Sequence, residues 1–306
     1  MAPMAMPELT ISQQGAVQKR TPVSIILPAY NEEAAVAAQV RRIQHVMEKH
    51  GWPYELIVVD DGSTDRTWEE IRRLDVRCLR LSENRGYGAA LKTGIAIAEN
   101  ELLVMIDADG TYPAEAIPEM LTRAGEYDMV VGARTGSRVH PSRWRQPARW
   151  LLRRVAGLLT GQNIPDLNSG LRVLRKSIVR EFWHLLPSGF SFTTTITLAM
   201  LCNNYSVHYH PVDYYRRTGR SKIRPGHLWD FLLLILRTVV FFRPLRVFVP
   251  LGGILFFAGV AKLLADLYWQ SSSEVAALSI LAAIVIWAVG LLADQIARLG
   301  VLSRSS

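Results

Sequence analysis

"LLVMIDADGTYPAEAIPEMLTRA", residues 102–124, decides the architecture. The short apolar run "LLVMI" ends on two carboxylates one residue apart, Asp107 and Asp109, and a helical pattern opened by Pro113 follows. The same succession of strand, acidic turn and helix occurs twice upstream. "VSIILP" (23–28) runs into "AYNEE", and "ELIVVD" (55–60) runs into "DGSTD". The spacing predicts a helix over 31–50 with acids in its first turn, and another over 62–74 capped by Thr64 or Asp65. "VRCLRL" (76–81) and "DMVVGAR" (128–134) supply two more strands, and "GYGAALKTGIAIA" (86–98) a third helix. Such alternation predicts βαβ units, hence an α/β domain with a mainly parallel sheet covered on both faces. Ligands of such sheets sit beyond the carboxyl ends of the strands, so three acidic ends gather on one rim.

The 306 residues suffice for one catalytic domain and an attachment. The formal charge of +8 admits nucleic acid, an anionic membrane or a phosphorylated ligand. Its distribution favours lipid over nucleic acid. "RTGSRVHPSRWRQPARWLLRR" (134–154) holds seven arginines and no acid, and Arg237, Arg243 and Arg246 flank an apolar tail. Two cysteines, Cys78 and Cys202, exclude a disulfide framework and a structural zinc site, and fit a reducing compartment. Residues 1–21 lack the apolar core of a secretion signal and read as a disordered lead-in to a cytosolic domain over 22–225.

Residues 226–244, "GHLWDFLLLILRTVVFFRP", read as an amphipathic helix lying in a membrane interface, the alternative being a buried core helix. "VFVPLGGILFFAGVAKLLADLYW" (247–269) and "VAALSILAAIVIWAVGLLA" (275–293) each approach the ~20 residues that span a bilayer. They read as a transmembrane hairpin within 245–306. Lys262 and Asp266 lie four apart on one face, suited to pairing. Arginines precede the first span and follow the second, which places both ends in the cytoplasm. Gly252, Gly253 and Gly259 offer a surface for self-association.

Carboxylates spaced as Asp-x-Asp on a strand end point to one side, where their repulsion invites a cation. A hard divalent ion suits them, because it takes oxygen ligands and completes its shell with water and substrate phosphates. A solvated turn whose acids cap the next helix is the competing reading.

Six stretches in order, "PAYNEE", "VVDDGSTD", "NRGYGAALKTG", "DADGTYP", "DLNSGLRVLRK" and "YRRTGRSK", resemble the family-2 glycosyltransferases of GT-A fold. The branch they resemble is that of dolichyl-phosphate mannose synthase and the bacterial polyprenyl-phosphate glycosyltransferases. The resemblance implies transfer, with inversion, of a single sugar from a UDP- or GDP-sugar to a polyprenyl phosphate at the cytoplasmic membrane face, with Mg²⁺ or Mn²⁺. It implies that Pro28, Tyr30 and Glu32 line the base and ribose site, with Asp60 and Asp61 alongside. Asp107 meets the ribose or diphosphate and shares the metal with Asp109, and Arg134 lies near the diphosphate. Asp166, Ser169 and Arg172 shape the sugar and acceptor pocket, while Arg217, Ser221 and Lys222 hold phosphate oxygens. Asp166 either orients the acceptor or acts as a base. Arg149 belongs to an arginine-rich acceptor loop that dips to the interface with Trp144 and Trp150. One departure stands out: the mannose synthases carry Gln two residues after the second Asp, where this chain has Thr111.

Three other readings fail. "QPARW" (146–150) matches a polysaccharide-synthase signature, but it precedes "DLNSGLR" and only two spans follow. "GYGAALKTG" has Leu91 where a dinucleotide fingerprint needs Gly, and it follows the third strand rather than the first. No Ser/His/Asp order marks a hydrolase, and His208 and His210 alternate as strand residues do. A saccharide or protein acceptor, and a non-catalytic membrane scaffold, are the alternative functions.

Overall fold

The structure, a computed structural model, describes residues 20–136, 146–215, 227–270 and 274–302. Residues 1–19 of the expected lead-in lie outside it, as do Trp144, Arg217, Ser221 and Lys222. Seven strands form one sheet: β1 (Val23–Ala29), β2 (Tyr54–Asp60), β3 (Arg77–Arg80), β4 (Leu102–Met105), β5 (Met129–Ala133), β6 (Arg172–Arg175) and β7 (Val207–Pro211). Their order is β3-β2-β1-β4-β6-β5-β7. The first four run parallel, β6 runs antiparallel to both its neighbours, and β7 is parallel to β5. β6 is thus an inverted insert, absent from the sequence reading, that separates β5 from the parallel half.

Strand alternation divides the core. Val23, Ile25 and Leu27 of β1 meet Val36, Val40, Ile43 and Met47 of α1 (Val36–Lys49) and Ile117 and Met120 of α4 (Ile117–Arg123). Ile26, Ile57 and Met105 face the other way. There they meet Leu91 and Ile95 of α3 (Tyr87–Ile97), Val179 of α6 (Lys176–Glu181) and Phe192 and Ile196 of α7 (Phe192–Cys202). Two helices start later than the sequence suggests. α1 has no acid in its first turn, because Glu32 stays in the loop and its carbonyl accepts the N–H groups of Ala35 and Val36. α2 (Thr67–Ile71) has Arg66 at its N-cap with no side-chain capping bond, although Asp65 Oδ1 accepts the N–H of Thr67, the first helical residue, at 3.0 Å.

The arginine-rich stretch is a helix from Gln146 onward rather than a loop. α5 (Gln146–Thr160) places Leu152 and Ala156 against Leu198 and Leu201 of α7 and Ile235 and Val239 of α8 (His227–Phe242). Its other face leaves Trp150, Leu151 and Leu158 exposed. α8 likewise buries Ile235 and Val239 on one side and exposes Trp229, Leu233, Leu236 and Phe241 on the other.

α9 (Leu245–Tyr268) and α10 (Glu274–Leu302) form an antiparallel hairpin. Each carries a 24-residue stretch long and apolar enough to cross a bilayer. Only 11% and 17% of these apolar windows are buried, unlike a soluble core helix. Small residues make the contact: a Cβ on Gly252 would lie 2.4 Å from the Trp287 indole nitrogen, and one on Gly259 2.9 Å from Ile280. Gly253 faces open space. Trp287 also donates to the Val249 carbonyl at 3.1 Å, and Lys262 pairs with Asp266.

Two of the arginines flanking the tail have backbone partners. Arg243 donates to the Cys202 carbonyl at 2.6 Å and to Asn204, and Arg246 donates to the Leu159 carbonyl at 3.3 Å. Gly161, at φ +75°, lets Arg246 approach, since a Cβ there would meet its guanidinium at 2.4 Å. The carboxyl ends of α7 and α5 are thereby fastened to the start of the hairpin, where helix carbonyls attract cations.

Candidate active site

The sheet register sets the rim. Ala29 of β1 pairs with Asp60 of β2, and the Ile106 N–H beyond β4 donates to the Ile26 carbonyl of β1 at 3.1 Å. The three acidic strand ends therefore lie side by side.

The first two are stitched together. Asn31, at φ +55°, donates its N–H to Ser63 Oγ at 3.0 Å and accepts the Thr64 N–H on its side chain at 2.9 Å. The Glu32 N–H donates to Thr67 Oγ1 at 2.8 Å. Pro28 and Glu32 are buried and Tyr30 is half-buried. Asp60 is fully buried, with the Ser63 N–H and hydroxyl on Oδ1 and Arg80 Nε 3.1 Å from Oδ2. Asp61 accepts the Arg85 and Gly86 N–H groups, one on each oxygen, at 2.8 and 2.9 Å.

The third end holds the Asp-x-Asp pair. Asp107 Oδ1 accepts the Tyr87 hydroxyl at 2.9 Å. The carboxylate rests on the backbone of Gly170, where a Cβ would come within 2.2 Å of Oδ2. Asp109 Oδ1 accepts the Thr111 N–H at 3.0 Å and hydroxyl at 2.6 Å, and Gly110 supplies the left-handed turn between them at φ +71°. Thr111, fully buried, thus orients Asp109 from below.

"DLNSGLR" closes the site from the β6 side. Asp166 and Arg134 form a two-pronged pair, Nε to Oδ2 and Nη2 to Oδ1, both at 2.7 Å, and the Arg134 and Asn168 N–H groups add two more bonds. Burial alone would raise the Asp166 pKa. The bonds and charge of Arg134 outweigh it and hold the carboxyl below its usual range. A carboxylate that accepts four hydrogen bonds is a poor base. Arg134 also lies over Tyr214, 5.3 Å from its ring centre.

Ser169 and Arg172, expected to shape the sugar and acceptor pocket, are fully buried. Ser169 Oγ bonds to the Gly132 carbonyl at 2.5 Å. Arg172 bonds to the carbonyls of Ser169 and Leu167, at 2.8 and 3.0 Å, and to Thr197 Oγ1 at 2.6 Å. Both build the loop from beneath. Tyr112 joins it to the Asp109 turn, its hydroxyl accepting the Gly170 N–H at 2.8 Å. Arg149 lies on α5 with its side chain outside the described residues, as are Arg217, Ser221 and Lys222 entirely.

The donor set fits a divalent ion of oxygen chemistry. Among the described residues no three His, Cys, Asp or Glu side chains converge as a metal cage. Asp107 and Asp109 are two carboxylates fixed by neighbours, which matches an ion that takes its other ligands from water and phosphate. Tyr87, Thr111 and Gly170 were missing from the sequence-derived site. Each lies in a quoted motif; Thr111 acts within its own turn, whereas the roles of Tyr87 and Gly170 are spatial.

Residues 24–183 match the model of the family Glycosyl transferase family 2, and residues 243–299 match GtrB C-terminal hairpin. The dolichyl-phosphate hexose transferase of Haloferax volcanii is 29% identical over 66% of this chain and 87% of its own length. The undecaprenyl-phosphate 4-deoxy-4-formamido-L-arabinose transferase of Pseudomonas paraeruginosa is 31% identical over 78% of this chain and 70% of its own. Among solved structures, glucosyl-3-phosphoglycerate synthase from Mycobacterium tuberculosis, in complex with Mn²⁺, UDP and phosphoglyceric acid, superposes with a TM-score of 0.59. That superposition covers 72% of this chain and 78% of the other at 19% identity, and establishes the shared fold. The chain belongs to glycosyl transferase family 2.

Proposed function

We propose that this protein transfers one sugar from a nucleotide-diphosphate sugar, UDP- or GDP-linked, to a polyprenyl phosphate, with inversion, at the cytoplasmic face of a membrane. One observation carries the reading: the rim bearing Asp107 and Asp109 belongs to a domain clamped by Arg243 and Arg246 to the entrance of a hairpin of membrane-spanning length. Such a domain works on an acceptor whose phosphate stays at the surface while its chain stays in the bilayer. The sugar-lipid names of the two curated relatives agree with this.

Pro28, Tyr30, Glu32, Asp60 and Asp61 take the base and ribose. Asp107 and Asp109 would hold the divalent ion, Mg²⁺ or Mn²⁺. When bound, the ion neutralises charge developing on the leaving nucleotide. Asp166 stays ionised and pins Arg134 beside the diphosphate. A polyprenyl phosphate is itself anionic at neutral pH, so no residue has to deprotonate it. Arg149, Arg217, Ser221 and Lys222 hold the acceptor phosphate. Trp150 and Leu158 of α5, with Trp229 and Phe241 of α8, rest in the interface.

The test uses the full chain in lipid nanodiscs with labelled UDP- and GDP-sugars, with and without undecaprenyl or dolichyl phosphate, and with Mg²⁺, Mn²⁺ or EDTA. The expected result is a lipid-linked sugar that requires the lipid phosphate and the ion and is abolished by Asp107→Ala and Asp109→Ala. Equal transfer without lipid phosphate would assign a saccharide or protein acceptor. Full turnover in both aspartate variants would reject the metal-site mechanism, and nucleotide binding without transfer from any donor would favour a scaffold.

A further inference from the structure

One short loop touches two of the three acidic strand ends. The N–H groups of Arg85 and Gly86 hold the two oxygens of Asp61, beyond β2, and the next residue, Tyr87, sends its hydroxyl to Asp107, beyond β4. β1 lies between those strands, so three consecutive residues bridge the rim from its nucleotide side to its Asp-x-Asp side.

The bridge is held from behind. Gly86 has φ +100°, and a Cβ there would meet the Ser188 carbonyl at 2.7 Å. A Cβ on Gly88 would meet the Pro187 carbonyl at 2.2 Å, and the Ala89 N–H donates to the Ser188 carbonyl at 2.9 Å. The segment 187–190 is therefore seated on the start of α3. Phe190, at its end, lies parallel to the Tyr87 ring, with centroids 6.0 Å apart and planes 12° apart. Ring and backbone together fix where the hydroxyl points.

We infer that Tyr87 is a positioning residue: it sets the Asp107 carboxylate for the divalent ion and links ion binding to occupancy of the Asp61 side by nucleotide. This rests on the assignment of the ion to Asp107 and Asp109. Partners that orient a ligating carboxylate change metal affinity by about 10–100-fold when removed. Linkage also makes the effect reciprocal, so an ion that tightens nucleotide is tightened by it to the same degree.

The experiment is an electron paramagnetic resonance titration of Mn²⁺ uptake by the full chain in nanodiscs, without nucleotide, with UDP and with GDP. Wild type, Tyr87→Phe and Asp107→Ala are compared, and thermal unfolding is recorded for each. The near-isosteric Tyr87→Phe keeps the ring and its stacking, so its unfolding transition should match wild type. Its Mn²⁺ dissociation constant with the preferred nucleotide should rise about 10–100-fold, and the tightening by nucleotide should shrink. If Asp107→Ala loses Mn²⁺ while Tyr87→Phe keeps wild-type affinity and coupling, the inference alone is overturned. If Asp107→Ala binds Mn²⁺ as wild type does, the assignment of the ion falls and takes the inference with it.

Discussion

Replacing Gly170 with Ala adds a single methyl group at the point where the Asp107 carboxylate meets the backbone. Gly170 is not among the glycines held at positive φ, so Ala suits the backbone and the effect is purely steric. The new Cβ would lie 2.2 Å from Oδ2 and 2.5 Å from Oδ1, against an ordinary contact of at least 3.4 Å. The loop resists moving away: the Gly170 N–H is bonded to Tyr112, Ser169 Oγ to the Gly132 carbonyl, and the Gly132 N–H to the Leu171 carbonyl. The carboxylate must retreat instead, by about 1.2 Å. A misplacement of about 1 Å at a reacting centre costs roughly 10²-fold in rate, or about 2.7 kcal/mol of barrier. Overpacking costs about 1–3 kcal/mol of stability. The assay is single-turnover transfer from labelled donor in nanodiscs at saturating lipid phosphate, alongside thermal unfolding. Gly189→Ala, whose Cβ meets nothing within 4 Å, is the control and should behave as wild type. Wild-type turnover by folded Gly170→Ala would refute the claim that the position of Asp107 governs the reaction.

Two other perturbations address separate parts of the molecule. Arg134→Ala leaves Asp166 buried without its partner, a loss of about 3–5 kcal/mol. The pair's contribution in wild type is present above the ordinary carboxyl value of 3.8 and lost as pH falls through the lower folded value. In the variant burial dominates and raises the pKa, so its stability should instead increase as pH is lowered toward 4, and parallel slopes in chemical denaturation would contradict the assignment. In the hairpin, Gly252→Leu drives a side chain into Trp287 and should lower thermal stability in nanodiscs, whereas Gly253→Leu points into open space and should not. Equal destabilisation by both would show that α9 and α10 do not pack as described.

Much of the catalytic half was legible because strand and helix periods are simple. "VSIILP", "ELIVVD" and "LLVMI" are apolar runs that stop at acids, and that alone places three carboxylate-bearing turns on one rim. β6 escaped because "RVLR" is four residues long with an arginine at each end, and the burial of Arg172 becomes tolerable only when the Leu167 and Ser169 carbonyls and Thr197 surround it. α5 was read as a loop for the density of its arginines, although Leu152, Val155, Ala156 and Leu159 keep a helical period. Arg243 and Arg246 looked like lipid partners, yet helix-end carbonyls far away in sequence take them. At the site, the carboxylates could be named from their turns. Thr111 acts on Asp109 from within the same turn, two residues on, whereas Tyr87 and Gly170 act on Asp107 through contacts that no spacing along the chain encodes.

The most direct measurement is a structure of the full chain in nanodiscs with UDP or GDP and Mn²⁺. The account predicts nucleotide lying across the ends of β1 and β2 and Mn²⁺ between its diphosphate and Asp107 and Asp109. Nucleotide seated away from that rim, or Mn²⁺ bound without either aspartate, would contradict it.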